Sequence, residues 1–216
     1  MNEKNVWKYV FEQQNRLSCI TRFNNTPKIV GESVAEHSYW VTFLSMLMAD
    51  FVEENSQLVI KRDEMYKMAI IHDMEEIVSG DIIKILKRGD FKEELEKINC
   101  RSMYYLTSTL GKRGEEYLKI WETLKAKETV ESKIIDLADS LSVIVYSVRE
   151  IHMGNKYFEE ILEFTTKKIM GYDDPDLGNI LKPFIKELTD YSTRFLTKDK
   201  DILDDINRAV RVIDKI

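Results

Sequence analysis

Apolar residues along this chain recur at intervals of three and four, the spacing that places them on one face of an α-helix. No segment shows the sustained alternation of apolar and polar residues that is typical of a β-strand. Glycine and proline, which interrupt helices, account for only 8 and 3 residues. The pattern therefore predicts an all-α fold.

Helix boundaries follow from the residues at the ends of each periodic segment. Ser33, with Glu36 three residues later, has the spacing of a capping box, which predicts a helix over 34–54. The next helix should begin at residue 61 or 62 and end at Gly80, because glycine suits a helix end. Other helices are predicted over 7–19, 91–110, 114–127, 131–153 and 155–170, with two more within 177–216.

No repeat, low-complexity run or clear domain boundary interrupts the pattern, although residues 171–176 read as a break between helices. The apolar fraction of 44% is sufficient for a hydrophobic core. We therefore predict a single domain over 1–216, with a motif-bearing core at about 10–170 and a C-terminal helical extension at about 171–216.

Composition excludes some classes of partner. A formal net charge of −6 argues against binding to a nucleic-acid polymer, because backbone phosphates are bound through a basic face. Cys19 and Cys100 lack the paired spacing of a zinc ribbon or redox motif, so we interpret them as free thiols in a reducing cytoplasm. Charged residues interrupt the N-terminal segment, so we expect neither a signal peptide nor a membrane span.

The candidate chemistry lies in three separated segments. Two of the chain's three histidines are His37 and His72, and His72 is followed directly by Asp73, while Asp139 lies in a later apolar segment. Imidazole and carboxylate together form the mixed shell that cobalt, manganese, nickel, iron and zinc all accept. Four such ligands would leave positions for water and substrate, which is typical of a catalytic metal site.

The residues around His72 support this hypothesis. Residues 69–71 and 77–78 are apolar, and an unpaired histidine and aspartate would be costly to bury among them. On a continuous helix, Glu76 would lie on the face that His72 and Asp73 share. The alternative is that isolated histidines in an all-α protein are surface or packed core residues.

These segments, taken in order, resemble the HD-domain phosphohydrolases and, among them, the bacterial 5′-deoxyribonucleotidases of the YfbR type. The matching stretches are residues 16–17, 21–23, 32–38, 72–81, 138–141 and 154–155. The resemblance implies an HD-domain fold, one divalent metal ion, a nucleotide substrate and a homodimer. It implies metal binding by four residues, His37, His72, Asp73 and Asp139.

The resemblance also implies roles in catalysis and substrate binding. Glu76 would be essential to the chemistry, Arg22 would orient the phosphate, and Asp81 would lie against the nucleotide. Phe23 stands where the family carries a tryptophan that is thought to crowd the ribose 2′-hydroxyl, so discrimination against ribonucleotides should be weaker here. Lys84, in a short basic run through Arg88, is a further candidate for substrate contact, although such runs are usually solvated.

The leading hypothesis is a metal-dependent 5′-nucleotidase acting on deoxynucleoside monophosphates. The alternative enzyme is a deoxynucleoside triphosphohydrolase or phosphodiesterase, because these share the metal motif. A triphosphate needs more cations, and only Arg22 and the 84–88 run lie near the motif in sequence, which favours the monophosphate. The non-enzymatic alternative is a helical binding protein with a vestigial metal site, which the complete set of expected residues disfavours.

Overall fold

A computed structural model describes residues 3–82 and 91–197 of the chain. Within these ranges the secondary structure is helical, and an isolated bridge joins Thr21 to Ser33. The all-α prediction is confirmed. A short 3₁₀ helix covers Gln14–Ser18. The α-helices are α1 (Glu3–Glu12), α2 (Val34–Asn55), α3 (Arg62–Ile71), α4 (Glu76–Ser79), α5 (Lys92–Ser108), α6 (Lys112–Ala126), α7 (Val130–His152), α8 (Tyr157–Met170) and α9 (Gly178–Leu196).

The predicted capping box begins α2. The Ser33 hydroxyl accepts the backbone N–H of Glu36 at 3.2 Å, and the Glu36 carboxylate accepts the backbone N–H of Ser33 at 2.7 Å. Two backbone donors that a helix end leaves unpaired are thereby satisfied. This cap fixes the start of the helix that carries His37 one turn later. The side chain of His37 is fully buried.

The helix predicted from residue 61 or 62 to Gly80 is not continuous, and that prediction was wrong. α3 ends at Ile71, residues 72–75 form a turn, and α4 begins at Glu76. The N–H of Glu76 donates to the carbonyl of Asp73 at 3.1 Å, three residues back instead of the four of an α-helix. The interruption lies at His72 and Asp73. Apolar residues continue on both sides of it, so the spacing of apolar residues did not indicate a break.

The chain divides into two compact units, residues 1–142 and 143–216. In the first, α3 packs against α2 and α6, and α5 packs against α4 and α6. In the second, α8 packs against α9. Every candidate site residue that the structure describes belongs to the first unit. The predicted division at about residue 170 stays a prediction, and the second tail helix lies outside the described residues.

The described helices were also compared with the length and apolarity that a bilayer span requires. None of them is both long enough and apolar enough to cross a membrane.

Candidate metal centre

The four residues predicted to bind a metal converge although they come from three parts of the chain. The Nε2 atoms of His37 and His72 are 3.1 Å apart. The Oδ2 of Asp73 lies 3.1 Å from His72 Nε2, and the Oδ1 of Asp139 lies 3.1 Å from His37 Nε2. α2, the 72–75 turn and α7 thus bring two nitrogen and two oxygen atoms together. The donor atoms of His37, His72 and Asp139 all lie within 4.8 Å of one another, and Asp73 adjoins this group through His72 and His37.

This donor set fits a divalent transition metal. The Nδ1 of His72 lies 2.8 Å from the Ala69 carbonyl, and because a carbonyl only accepts, this nitrogen carries the proton. The lone pair of His72 Nε2 is therefore directed at the cluster, the arrangement found in metal-binding histidines. Two imidazole nitrogens with two carboxylate oxygens about 3 Å away make the mixed nitrogen and oxygen donor set that divalent transition metals accept.

The pKa values of His72, Asp73 and Asp139 are shifted in the directions that favour positive charge at the cluster. Burial would lower the pKa of His72, but the charge of Asp73 and its hydrogen bond hold the pKa above the ordinary value. Desolvation would raise the pKa of Asp73, but the two histidines hold it well below its usual range. Desolvation would also raise the pKa of Asp139, but its hydrogen bond with His37 and the charges of His37 and Arg22 together lower it. Both carboxylates therefore remain ionised at neutral pH.

Arg22 lies beside the cluster and is almost buried. Its Nη1 donates to the Glu32 carboxylate at 3.0 Å and lies 2.8 Å from His37 Nδ1, while its Nη2 lies 3.9 Å from Asp139. Desolvation would lower the pKa of Arg22, but Asp139 and Glu32 raise it. A guanidinium held in this way offers planar donors to an anion at the centre.

Two residues of this shell were missed by the sequence analysis. Glu32 is buried and anchors Arg22 through the ion pair. The hydroxyl of Ser142 lies 3.1 Å from His37 Nδ1 and donates to the carbonyl of Asp139 at 2.7 Å. Ser142 could have been found by its spacing of three from Asp139 on one helix, whereas nothing in the sequence indicates that Glu32 faces Arg22.

Phe23 and Asp81 are joined in the structure. The backbone N–H of Phe23 donates to the Asp81 carboxylate at 2.9 Å, and the Asn24 amide donates to the Asp81 carbonyl at 2.6 Å. Phe23 has a φ of 52°, a left-handed conformation that costs energy for a non-glycine residue and often marks functional sites. Asp81 therefore positions the loop beside Arg22. Its contact with a nucleotide stays a prediction, and Lys84 lies outside the described residues.

A cavity of about 320 Å³ adjoins the cluster. Asp73 and the buried Glu76 form part of its wall, and α5 and α6 supply another part. Three lysines, Lys92, Lys125 and Lys127, line it. The sequence argument had counted only Arg22 and the 84–88 run as nearby cations. That count was too low, because helices distant in sequence bring these lysines to the site.

Three comparisons show which known proteins this chain resembles. The model of a family described as 5′-deoxynucleotidase YfbR-like matches residues 9–188. A 5′-deoxynucleotidase of Vibrio vulnificus is 24% identical over 152 residues, which cover 69% of this chain and 78% of that protein.

The solved structures match over a similar extent. An HD-domain phosphohydrolase from Listeria innocua has a TM-score of 0.68 and 24% identity, covering 85% of this chain and 96% of its own. A cyanophage S-2L HD phosphohydrolase, whose structure contains dA and one catalytic Zn²⁺, has a TM-score of 0.53 and 16% identity, covering 86% and 95%. The predicted HD-domain fold is confirmed.

Proposed function

The chain belongs to the YfbR-like 5′-deoxynucleotidase family, and from this premise we propose that it hydrolyses deoxynucleoside 5′-monophosphates to deoxynucleosides and orthophosphate in a metal-dependent reaction. The observation that carries the proposal is the convergence of His37, His72, Asp73 and Asp139 beside a buried arginine. The names of the relatives support it, since the Vibrio vulnificus protein is a 5′-deoxynucleotidase.

His37, His72, Asp73 and Asp139 would hold one divalent ion. Such an ion, when bound, lowers the pKa of a bound water towards neutrality and neutralises charge on a phosphate oxygen. Cobalt, manganese, nickel, iron and zinc all suit two imidazoles and two carboxylates. We favour cobalt or manganese for reconstitution and include zinc, because the cyanophage protein contains Zn²⁺.

The protein's own residues would orient the substrate and move protons. Arg22, fixed by Glu32, would donate to two phosphate oxygens through its planar guanidinium. Attack of water at phosphorus breaks the bond to O5′, and the departing oxygen then needs a proton. Glu76, buried in the wall shared with Asp73, would either supply that proton or orient the attacking water.

The test is phosphorus product analysis with dAMP, AMP and dATP, using protein stripped of metal and reloaded with cobalt, manganese or zinc. Metal-dependent release of orthophosphate from dAMP is the expected result. Triphosphate released from dATP, with dAMP unchanged, would instead identify a triphosphohydrolase. This is the second candidate because three lysines line the cavity, each of them paired with a carboxylate. The absence of product from all three would contradict both and favour another phosphoester or a vestigial site.

Phe23 provides a prediction about sugar selectivity. Phe23→Trp should raise the ratio of kcat/KM for dAMP over AMP by about tenfold, because a larger ring would crowd a 2′-hydroxyl more and such steric differences contribute roughly 1 to 3 kcal/mol. The measurement is steady-state kinetics on both nucleotides. Phe23→Leu, which removes the aromatic ring, should lower the ratio, and equal ratios in all three proteins would rule out contact between residue 23 and the sugar.

We further infer a cytoplasmic homodimer that binds nucleotides and no nucleic-acid polymer. Cys19 and Cys100 are both free thiols, as in a reducing compartment. The outer face of α5 exposes Ile98, Tyr104 and Tyr105, which is the composition expected of a symmetric interface. The net charge of −6 supports a small substrate over a polymer.

A further inference from the structure

α6 carries two side chains that contact the turn between α3 and α4. The ammonium of Lys125 donates to the Glu75 carboxylate at 2.7 Å and to the carbonyl of His72 at 3.0 Å. Trp121, four residues earlier on the same helix face, donates from its indole nitrogen to the other Glu75 oxygen at 2.9 Å. The Lys125 ammonium also lies 5.1 Å from the centre of the Trp121 ring. Two donors from one helix thus hold both oxygens of a buried carboxylate.

The contact with the His72 carbonyl coincides with the interruption of the helix. In a continuous α-helix this carbonyl would accept the N–H of Glu76, but that N–H donates to Asp73 at 3.1 Å. The ammonium of Lys125 therefore takes the place of a backbone donor. A buried carbonyl without a donor is unfavourable, so Lys125 stabilises the turn relative to the continuous helix.

The turn matters because adjacent side chains on a regular helix point about 100° apart. Here Nε2 of His72 and Oδ2 of Asp73 are only 3.1 Å apart and face the same point. Glu75 is the last residue of the turn and is buried. Because its carboxylate accepts hydrogen bonds from Trp121 and Lys125, the position of the turn depends on α6. A buried carboxylate that lost its cation would be strongly disfavoured and would draw the turn towards solvent.

We propose that Lys125 is a positioning residue, which fixes the 72–75 turn and thereby directs His72 and Asp73 towards the metal ion. The inference rests on the proposed function only in that these two residues bind the ion. It assigns Lys125 a role in metal affinity, whereas its place in the cavity wall would also allow a competing role in substrate contact. The two roles predict different changes, one in the Kd for metal and the other in the KM for nucleotide.

The experiment compares Lys125→Met with Lys127→Met. Lys127 lines the same cavity but forms its ion pair with Asp136, so both variants remove one cation from the cavity and only the first affects the turn. The Kd for Co²⁺ alone is measured from visible absorption in competition with a chelator. We expect a rise of about 10- to 100-fold for Lys125→Met, the range typical of residues that orient metal ligands, and less than about twofold for Lys127→Met.

Conservative variants keep the test decisive if Lys125→Met does not fold. Lys125→Arg retains the charge and donors and should restore most of the Co²⁺ affinity. Glu75→Gln removes the carboxylate that orients the ammonium and should raise the Kd by about tenfold. Co²⁺ affinity unchanged in Lys125→Met or, where that variant is unfolded, in Glu75→Gln would overturn the proposal. With unchanged affinity, a raised KM for dAMP would identify substrate contact as the role of Lys125.

Because the Kd is measured without substrate, the outcome is independent of which nucleotide is hydrolysed. A wild-type protein that binds Co²⁺ but hydrolyses none of the tested nucleotides would contradict the proposed function and leave the positioning role of Lys125 testable. A wild-type protein that binds no Co²⁺, Mn²⁺ or Zn²⁺ would overturn both.

Discussion

A His72→Ala variant is expected to lose divalent metal binding and to release orthophosphate from dAMP about 10³-fold more slowly than the wild type. The Nε2 of His72 lies 3.1 Å from both His37 Nε2 and Asp73 Oδ2, so its removal leaves three of the four converging donors. A metal ion contributes several kcal/mol to stabilising the transition state of phosphoryl transfer, and roughly 4 kcal/mol corresponds to the expected factor. Metal content and kcat/KM are measured on the same preparation.

His152→Ala is the matched control. The ring of His152 packs 4.9 Å from that of Phe195, and His152 is not one of the clustered donors. We expect its metal content and kcat/KM to remain within about twofold of the wild type, because substitutions away from a site rarely change it. Full metal-dependent activity in His72→Ala would contradict the metal centre as proposed.

The helical fold could be predicted because its determinants are local. The capping box at Ser33 and Glu36 and the apolar periodicity of α2 act within a few residues, and the predicted bounds of 34–54 agree closely with Val34–Asn55. The interruption at 72–75 could not be predicted in the same way. It involves a hydrogen bond from Lys125, which is 53 residues away in the sequence.

The candidate site could likewise be predicted only in part. His37, His72, Asp73 and Asp139 could be proposed because His72 and Asp73 lie in an apolar segment and because the order of the motifs resembles the HD-domain phosphohydrolases. The residues that support them, such as Glu32 and Trp121, show no pattern in the sequence that links them to the site. Their roles depend on which helices pack together, and the packing of α3 against α6 is a tertiary property that no local pattern encodes.

Glu76→Gln should leave Co²⁺ affinity within about twofold of the wild type while kcat for dAMP falls by about 10²- to 10⁴-fold, the usual contribution of a general acid or base. Glutamine preserves the size of the side chain but neither supplies a proton nor carries negative charge. Glu76 is buried in the cavity wall next to Asp73, so it is close to the site of attack and is not one of the four converging donors.

The control for this variant is Glu96→Gln, because Glu96 lines the same cavity from α5 but forms its ion pair with Lys92 near the surface. Its kcat should remain within about twofold of the wild type, and full activity in Glu76→Gln would remove Glu76 from the chemistry.

p-Nitrophenyl phosphate then separates the two possible roles of Glu76. Its leaving group departs without protonation, so an acid role predicts that Glu76→Gln loses little activity on this substrate. A role in orienting the attacking water predicts the same large loss on both substrates, because that water is required whichever group leaves.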